Sequence, residues 1–145
     1  MLMGEFHHNI DEKGRLIVPA KLRNELGESY VICKGMEDNL LMYSLVEWSE
    51  FVNKLSKLPI TLDVDADDLT RHFLGSAYEG TFDKQGRVLI PTTLRKHAKL
   101  DKEIVLLGVL NKVEIWNKSH RDEKEVPKEK MNGIRKRMKE RGMQM

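Results

Sequence analysis

With 145 residues, 40% of them hydrophobic and 33% charged, the chain has room for one ordinary domain or two very small ones, and its composition excludes a disordered protein. No apolar run approaches the roughly 18–20 residues of a membrane span. The opening Met1-Leu2-Met3-Gly4-Glu5 lacks a signal-peptide pattern, and the single cysteine, Cys33, excludes an internal disulfide or a cysteine-rich zinc site, so a cytoplasmic protein is expected. The net charge of +2 hides a division. Residues 1–60 carry 7 basic and 9 acidic groups and residues 61–79 carry 1 and 5, whereas residues 80–118 carry 8 and 4 and residues 119–145 carry 9 and 5. Such asymmetry directs attention to a polyanionic partner.

In chain order, an extended segment His7–Ile10 leads into a polar turn, Asp11–Gly14, and an aliphatic strand, Arg15–Val18. Pro19 suits the first helical position and Gly27 a C-terminal stop, which predicts a short helix over Pro19–Leu26. Strands follow at Tyr30–Lys34 and Leu40–Ser44, joined through the turn 35–39. Ser44 and Glu47 have capping-box spacing ahead of a helix whose apolar positions are Leu45, Trp48, Val52 and Leu55, with Pro59 as its end. A second helix is expected over Leu69–Ala77, capped by Asp67 or Asp68, with Leu69, Phe73 and Ala77 as its apolar face.

The chain then repeats itself. Residues 10–23 (IDEKGRLIVPAKLR) and 82–95 (FDKQGRVLIPTTLR) share 6 of 14 positions at an offset of 72: Asp11/Asp83, Gly14/Gly86, Arg15/Arg87, Pro19/Pro91, Leu22/Leu94 and Arg23/Arg95. At an offset of 73, 31–35 aligns with 104–108 and 40–44 with 113–117. Each copy reads as β-β-α-β-β and is too small to hold a core alone, so the copies are expected to pack on each other. The resulting organisation is a first repeat at 5–47, a helical connector at 48–76, a second repeat at 77–120 and a basic tail at 121–145.

The repeated Asp-x-x-x-Arg turn carries the chemistry. Glycine before the arginine permits a left-handed backbone, and the aspartate can bond nearby amides and fix the turn: Asp11 and Gly14 in one copy, Asp83 and Gly86 in the other. On one reading the Asp–Arg pair only pins a hairpin. On the other the turn presents Arg15 and Arg87, with Lys13 and Lys84 beside them, to a ligand. The arginine fork suits phosphate or the O6/N7 edge of guanine, and lysine adds a less directional phosphate contact.

Both D-x-K/Q-G-R turns, the I/V-P-x-x-L-R segments, the Met-x-Met-Gly opening and the G…EIW ending resemble the MraZ family, tandem relatives of the AbrB/SpoVT DNA-binding domains, from Met1 to about His120. The resemblance implies mixed β structure with short peripheral helices, forming a double-split β-barrel from two internal repeats. It also implies a nucleoid-associated transcriptional regulator of the cytoplasm that binds double-stranded promoter DNA upstream of the division and cell-wall gene cluster, usually as a repressor. The family's DNA-contacting turn falls on Asp11, Lys13, Gly14 and Arg15, and again on Asp83, Gly86 and Arg87, with Lys84 and Gln85 where the first copy has Glu12 and Lys13. The resemblance also implies assembly as a ring of about eight subunits, so avidity would supply the affinity that one turn lacks.

The tail departs from the family pattern. Met131, Ile134 and Met138 lie opposite Arg135, Lys136, Lys139 and Arg141, a basic amphipathic helix preceded by Pro127 and interrupted by Gly133. The run 63–68 has calcium-loop spacing but places Asp68 where glycine is needed and Leu74 where glutamate is needed. His7 and His8 point to opposite faces of a strand, and His72, His97 and His120 are scattered, so no metal is expected. Cys33 reads as a core residue. No nucleophile triad, phosphate loop or carboxylate pair is present, and neither an enzyme, a cofactor, a small-molecule substrate nor a membrane partner is expected. Two functions remain: a sequence-specific DNA-binding regulator, or a structural or partner-binding scaffold of the AbrB/antitoxin-like fold.

Overall fold

Short aliphatic runs set between glycine turns and proline-started helices give eight strands and six helices in the computed structural model, which describes residues 1–58 and 63–144. The first copy contains β1 (Leu2–Asn9), β2 (Arg15–Ile17), α1 (Ala20–Leu26), β3 (Ser29–Lys34) and β4 (Asn39–Ser44). Next come α2 (Leu45–Ser56) and α3 (Val64–Leu74). The second copy contains β5 (Tyr78–Thr81), β6 (Arg87–Leu89), α4 (Thr92–His97), β7 (Glu103–Leu110) and β8 (Val113–Asn117), followed by α5 (Lys118–Lys124) and α6 (Lys128–Glu140).

The strands form a six-stranded sheet in the order β1-β7-β8-β4-β3-β5 and a two-stranded sheet, β2-β6. Both sheets are antiparallel at every pairing. The larger sheet is open, with β1 and β5 at its edges. Exchanging the copies maps this strand order onto itself. Among the strands described, the hairpins β3–β4 and β7–β8 pair within a copy, whereas β1–β7, β3–β5, β4–β8 and β2–β6 join one copy to the other. The two halves therefore complete each other's sheets, as the size of each copy requires.

Side-chain alternation divides the packing into two clusters. Leu16, Val18, Leu22, Ile32, Leu40 and Met42 meet Val88, Ile90, Leu94, Ile104, Leu106 and Ile115 in the main core, all of them buried. On the opposite face of β3 and β4, Cys33, Leu41 and Tyr43 pack against Leu55 and Phe73, with Trp48, Phe51, Leu58, Leu69 and Ala77 around them. Trp48 is thus a packing residue, 5.7 Å from both Tyr43 and Phe51 by ring centroid. On the β7–β8 side, α5 lies over the sheet, and the Arg121 guanidinium sits 5.3 Å from the Trp116 ring.

Several sequence expectations shift. β1 begins at Leu2, five residues before His7, because its ladder to β7 runs unbroken from Leu2↔Leu110 to Asn9↔Glu103, and pairing here outweighs the weak local pattern around Gly4. Pro19 and Pro91 stand one position before their helices, with ψ near 143° and 153°. In α2 the packed row is Trp48, Phe51 and Leu55, while Leu45 is exposed at the first turn. The helix α3 starts earlier than expected: Asp63 caps it, its carboxylate accepting from the amides of Asp65 and Ala66, so Asp67 and Asp68 lie inside. Gly133 does not interrupt α6, and α5 was not anticipated. Pro59, the expected end of α2, lies outside the described residues.

The histidines are not scattered. His72 Nε2 lies 2.7 Å from the Gly35 carbonyl, His97 Nε2 lies 3.0 Å from that of Glu37, and His120 Nδ1 is 3.6 Å from the Asp38 carboxylate. All three gather on the β3–β4 turn, an arrangement that sequence distance concealed. Cys33 is fully buried, and burial pushes its thiol up to about 12. Alkylation by iodoacetamide at pH 8 is therefore expected only after denaturant unfolds the chain; rapid labelling of native protein would contradict this packing.

Candidate nucleic-acid interface

Each Asp-x-x-x-Arg segment folds into a turn closed by its own aspartate. In the first, the Gly14 amide donates to the Asp11 carbonyl at 3.0 Å, and the Asp11 amide donates to the Arg15 carbonyl at 3.0 Å. Gly14 takes φ +84°, a left-handed value that favours glycine. Asp11 Oδ1 accepts from the Lys13 amide at 3.0 Å and the Arg15 amide at 2.8 Å. Its other oxygen accepts from Arg15 Nε at 2.7 Å. The second turn repeats the arrangement: Asp83 accepts from the Gln85 and Arg87 amides, each at 2.9 Å, and from Arg87 Nε at 2.7 Å, with Gly86 at φ +74°.

The Asp–Arg pair also fixes the arginine side chain at one end. Nε is spent on the aspartate, while the terminal guanidinium nitrogens of Arg15 and Arg87 have no partner among the described residues. Both side chains stay partly open, at 36% and 25% exposure. Lys13 and Lys84 are exposed on the turns and make no ion pair among the described residues.

The amide of Arg15, followed by its guanidinium, holds Asp11 below the ordinary value of 3.8 despite the opposing effect of desolvation, and Arg87 does the same for Asp83. Because the folded carboxylates are depressed, their contribution is fully present above about 3.8 and is lost as pH falls through the lower folded value. Carboxyl carbon NMR is expected to show both aspartates titrating below 3.8, with Arg15→Ala raising Asp11 alone; an unshifted Asp11 would show that the turn is not locked in solution.

The ribbon β2–β6 brings the turns together. Its register pairs Arg15 with Leu89, Leu16 with Val88 and Ile17 with Arg87. Leu16 and Val88 face the core at 0% exposure, so Arg15, Ile17, Arg87 and Leu89 face outward. Arg15 and Arg87 are diagonal neighbours on this face, with roughly 7–8 Å between them. Each turn is also docked on the other copy: Ile90 donates to the Gly14 carbonyl at 2.8 Å, and Val18 donates to that of Gly86 at 3.0 Å.

The structure adds two arginines that the sequence reading aligned without assigning a role. Arg95 Nε donates to the Ile90 carbonyl at 2.9 Å, and its guanidinium lies so close to Gly14 that a methyl group there would stand 2.9 Å from Cζ. Arg23 mirrors it, bonding the Val18 carbonyl at 2.8 Å and lying against Gly86. Each turn is thus a composite of both copies: Lys13, Arg15 and Arg95 at one, Lys84, Arg87 and Arg23 at the other. The repeated arginine closing each 14-residue match was the available signal. Among the described residues no group of three or more His, Cys, Asp or Glu side chains is placed to hold a metal, and no helix is long and apolar enough to cross a membrane.

The geometry is that of a sheet-rich tandem-repeat protein carrying a cationic ribbon on its surface. The sequence model of the family described as "MraZ protein, putative antitoxin-like" matches residues 1–71 and 73–138. The "Transcriptional regulator MraZ" of Caldanaerobacter subterraneus subsp. tengcongensis is 52% identical over 118 residues, covering 81% of this chain and 82% of that relative. Relatives of the same name from Lactobacillus delbrueckii subsp. bulgaricus and Moorella thermoacetica are 50% and 49% identical over 123 residues, each covering 85% of both chains. The chain belongs to the MraZ family, a family of transcriptional regulators and not of enzymes.

Proposed function

We propose that the chain is a sequence-specific DNA-binding regulator that grips promoter-proximal repeats through its two Asp-locked turns. The observation that carries this reading is the pair of arginines, Arg15 and Arg87, set on one ribbon with Nε fixed and their terminal nitrogens open. Preset arginine forks suit guanine edges and phosphates, while Lys13, Lys84, Arg23 and Arg95 supply flanking phosphate contacts. In this reading Asp11, Gly14, Asp83 and Gly86 form the turns. Residues 5–47 and 77–120 are the two DNA-binding repeats, 48–76 is the connector and 121–145 an accessory basic tail. The two copies, interleaved through the ribbon and the open sheet, would be the two halves of a double-split barrel.

One such site per subunit gives few contacts, so the reading includes self-assembly, as a ring of about eight subunits in the manner of the family, which multiplies the effective concentration of later contacts. The exposed apolar residues Met1, Val46 and Leu110, which border one surface groove, support such self-association. The natural targets would be repeats upstream of the division and cell-wall gene cluster, repressed from within the cytoplasm at the nucleoid.

The test is a gel-shift titration of the chain's own upstream region against a scrambled duplex at two salt concentrations. Preferential binding that weakens steeply with salt is expected. Equal binding to both duplexes would sink the reading in favour of a scaffold role.

A further inference from the structure

The outward face of the β2–β6 ribbon is not uniformly cationic. Ile17 and Leu89 stand on it at 44% exposure each, in positions where a solvated strand would carry polar side chains. They are equivalent positions of the two copies, and each lies directly opposite the arginine of the other: Ile17 faces Arg87, and Leu89 faces Arg15. The four side chains form one small patch with two arginines on one diagonal and two aliphatics on the other.

We infer that Ile17 and Leu89 are specificity-determining residues that contact the 5-methyl groups of thymine in the major groove. The inference rests on the DNA-binding reading above and adds to it the base feature these residues recognise. A two-stranded antiparallel ribbon fits a major groove about 12 Å wide, where thymine alone among the four bases presents a methyl group. An aspartate fixes each arginine at Nε, so the free end of its fork and the facing aliphatic side chain address neighbouring positions of one groove. A second copy of this chain is a poorer occupant, because Lys13, Arg15, Lys84, Arg87, Arg23 and Arg95 surround the patch while Asp11 and Asp83 are consumed by their turns. Self-docking would bring like charges together.

The test uses the full chain and the duplex it enriches from a random library by repeated selection. Single thymines in that duplex are replaced by deoxyuridine, which removes only the methyl group. At one or two positions the wild-type chain is expected to lose about threefold to tenfold in affinity, the magnitude of one buried methyl contact. Ile17→Ala with Leu89→Ala should bind the thymine duplex as weakly as wild type binds the deoxyuridine one, with no further loss on substitution. Ile17→Ser with Leu89→Ser, which presents no methyl group to the base, serves as the second variant should alanine disturb folding. Indifference of wild type to every deoxyuridine overturns this inference alone, and so does a full deoxyuridine penalty in the variants. A fall in native mass of the variants with an unchanged deoxyuridine response overturns it in favour of a subunit contact. A chain that enriches no duplex overturns both this inference and the reading beneath it.

Discussion

Replacing Arg15 and Arg87 together with alanine is expected to abolish discrimination between operator and unrelated DNA while leaving the fold in place. A good bidentate arginine–base contact contributes about 1–3 kcal/mol of discrimination, so losing both from one ribbon costs roughly 30-fold to 10⁴-fold before avidity multiplies the loss. The stability cost is small by comparison. Each Asp–Arg pair is a solvent-screened ion pair, of a kind that adds little to stability. Asp11 and Asp83 keep their backbone amide donors in the variant, which preserves the turns. Fluorescence anisotropy on a labelled duplex, paired with thermal denaturation, separates the two effects. A variant that melts many degrees lower yet binds normally per folded molecule would make the arginines structural. Arg15→Lys should fall between, since lysine keeps charge but has neither the Nε lock nor the planar fork.

Gly14→Ala should be the more damaging of the two turn-glycine substitutions. At φ +84° an added Cβ is strained by about 1–2 kcal/mol. That Cβ would also stand 2.8 Å from the backbone carbonyl of Ile90 and 2.9 Å from the Arg95 guanidinium. A carbonyl cannot swing aside, so the bond from Ile90 to the Gly14 carbonyl that ties the turn to the other copy is strained as well. A total of about 2–4 kcal/mol is expected. At Gly86, with φ +74°, the obstructing atoms belong to the flexible end of Arg23, so about 1–2 kcal/mol follows from the backbone alone. Urea denaturation of the two variants checks the order; equal midpoints would mean that the two turns are not docked differently.

The repeat made much of this architecture readable. Six identities in order marked Asp, Gly, Arg and Pro as fixed points, and each reappears with a separate mechanical role: carboxylate lock, left-handed hinge, aimed fork and helix start. What local patterns could not carry was pairing between copies. Cross-strand partners such as Ile17 and Arg87 are 70 positions apart, and nothing in either segment encodes the register that sets them face to face. Arg23 and Arg95 were hidden for the same reason, since each acts on the turn of the other copy. The early start of α3 was missed because Asp63, Asp65, Asp67 and Asp68 are all plausible caps by type. Only the helix's actual position, with Ala66 and Phe73 buried, selects Asp63. The histidines illustrate the converse: residues 72, 97 and 120 hold one turn through long-range contacts that no spacing rule describes.

Both composite turns and the ribbon between them are expected to meet DNA as one surface. Hydrogen exchange read by mass spectrometry on the full chain, with and without the selected duplex, tests this. New protection is expected at residues 11–18 and 83–90, with the α2–α3 face unchanged. Protection confined to the tail after residue 121, with both turns exchanging as freely as before, would contradict it.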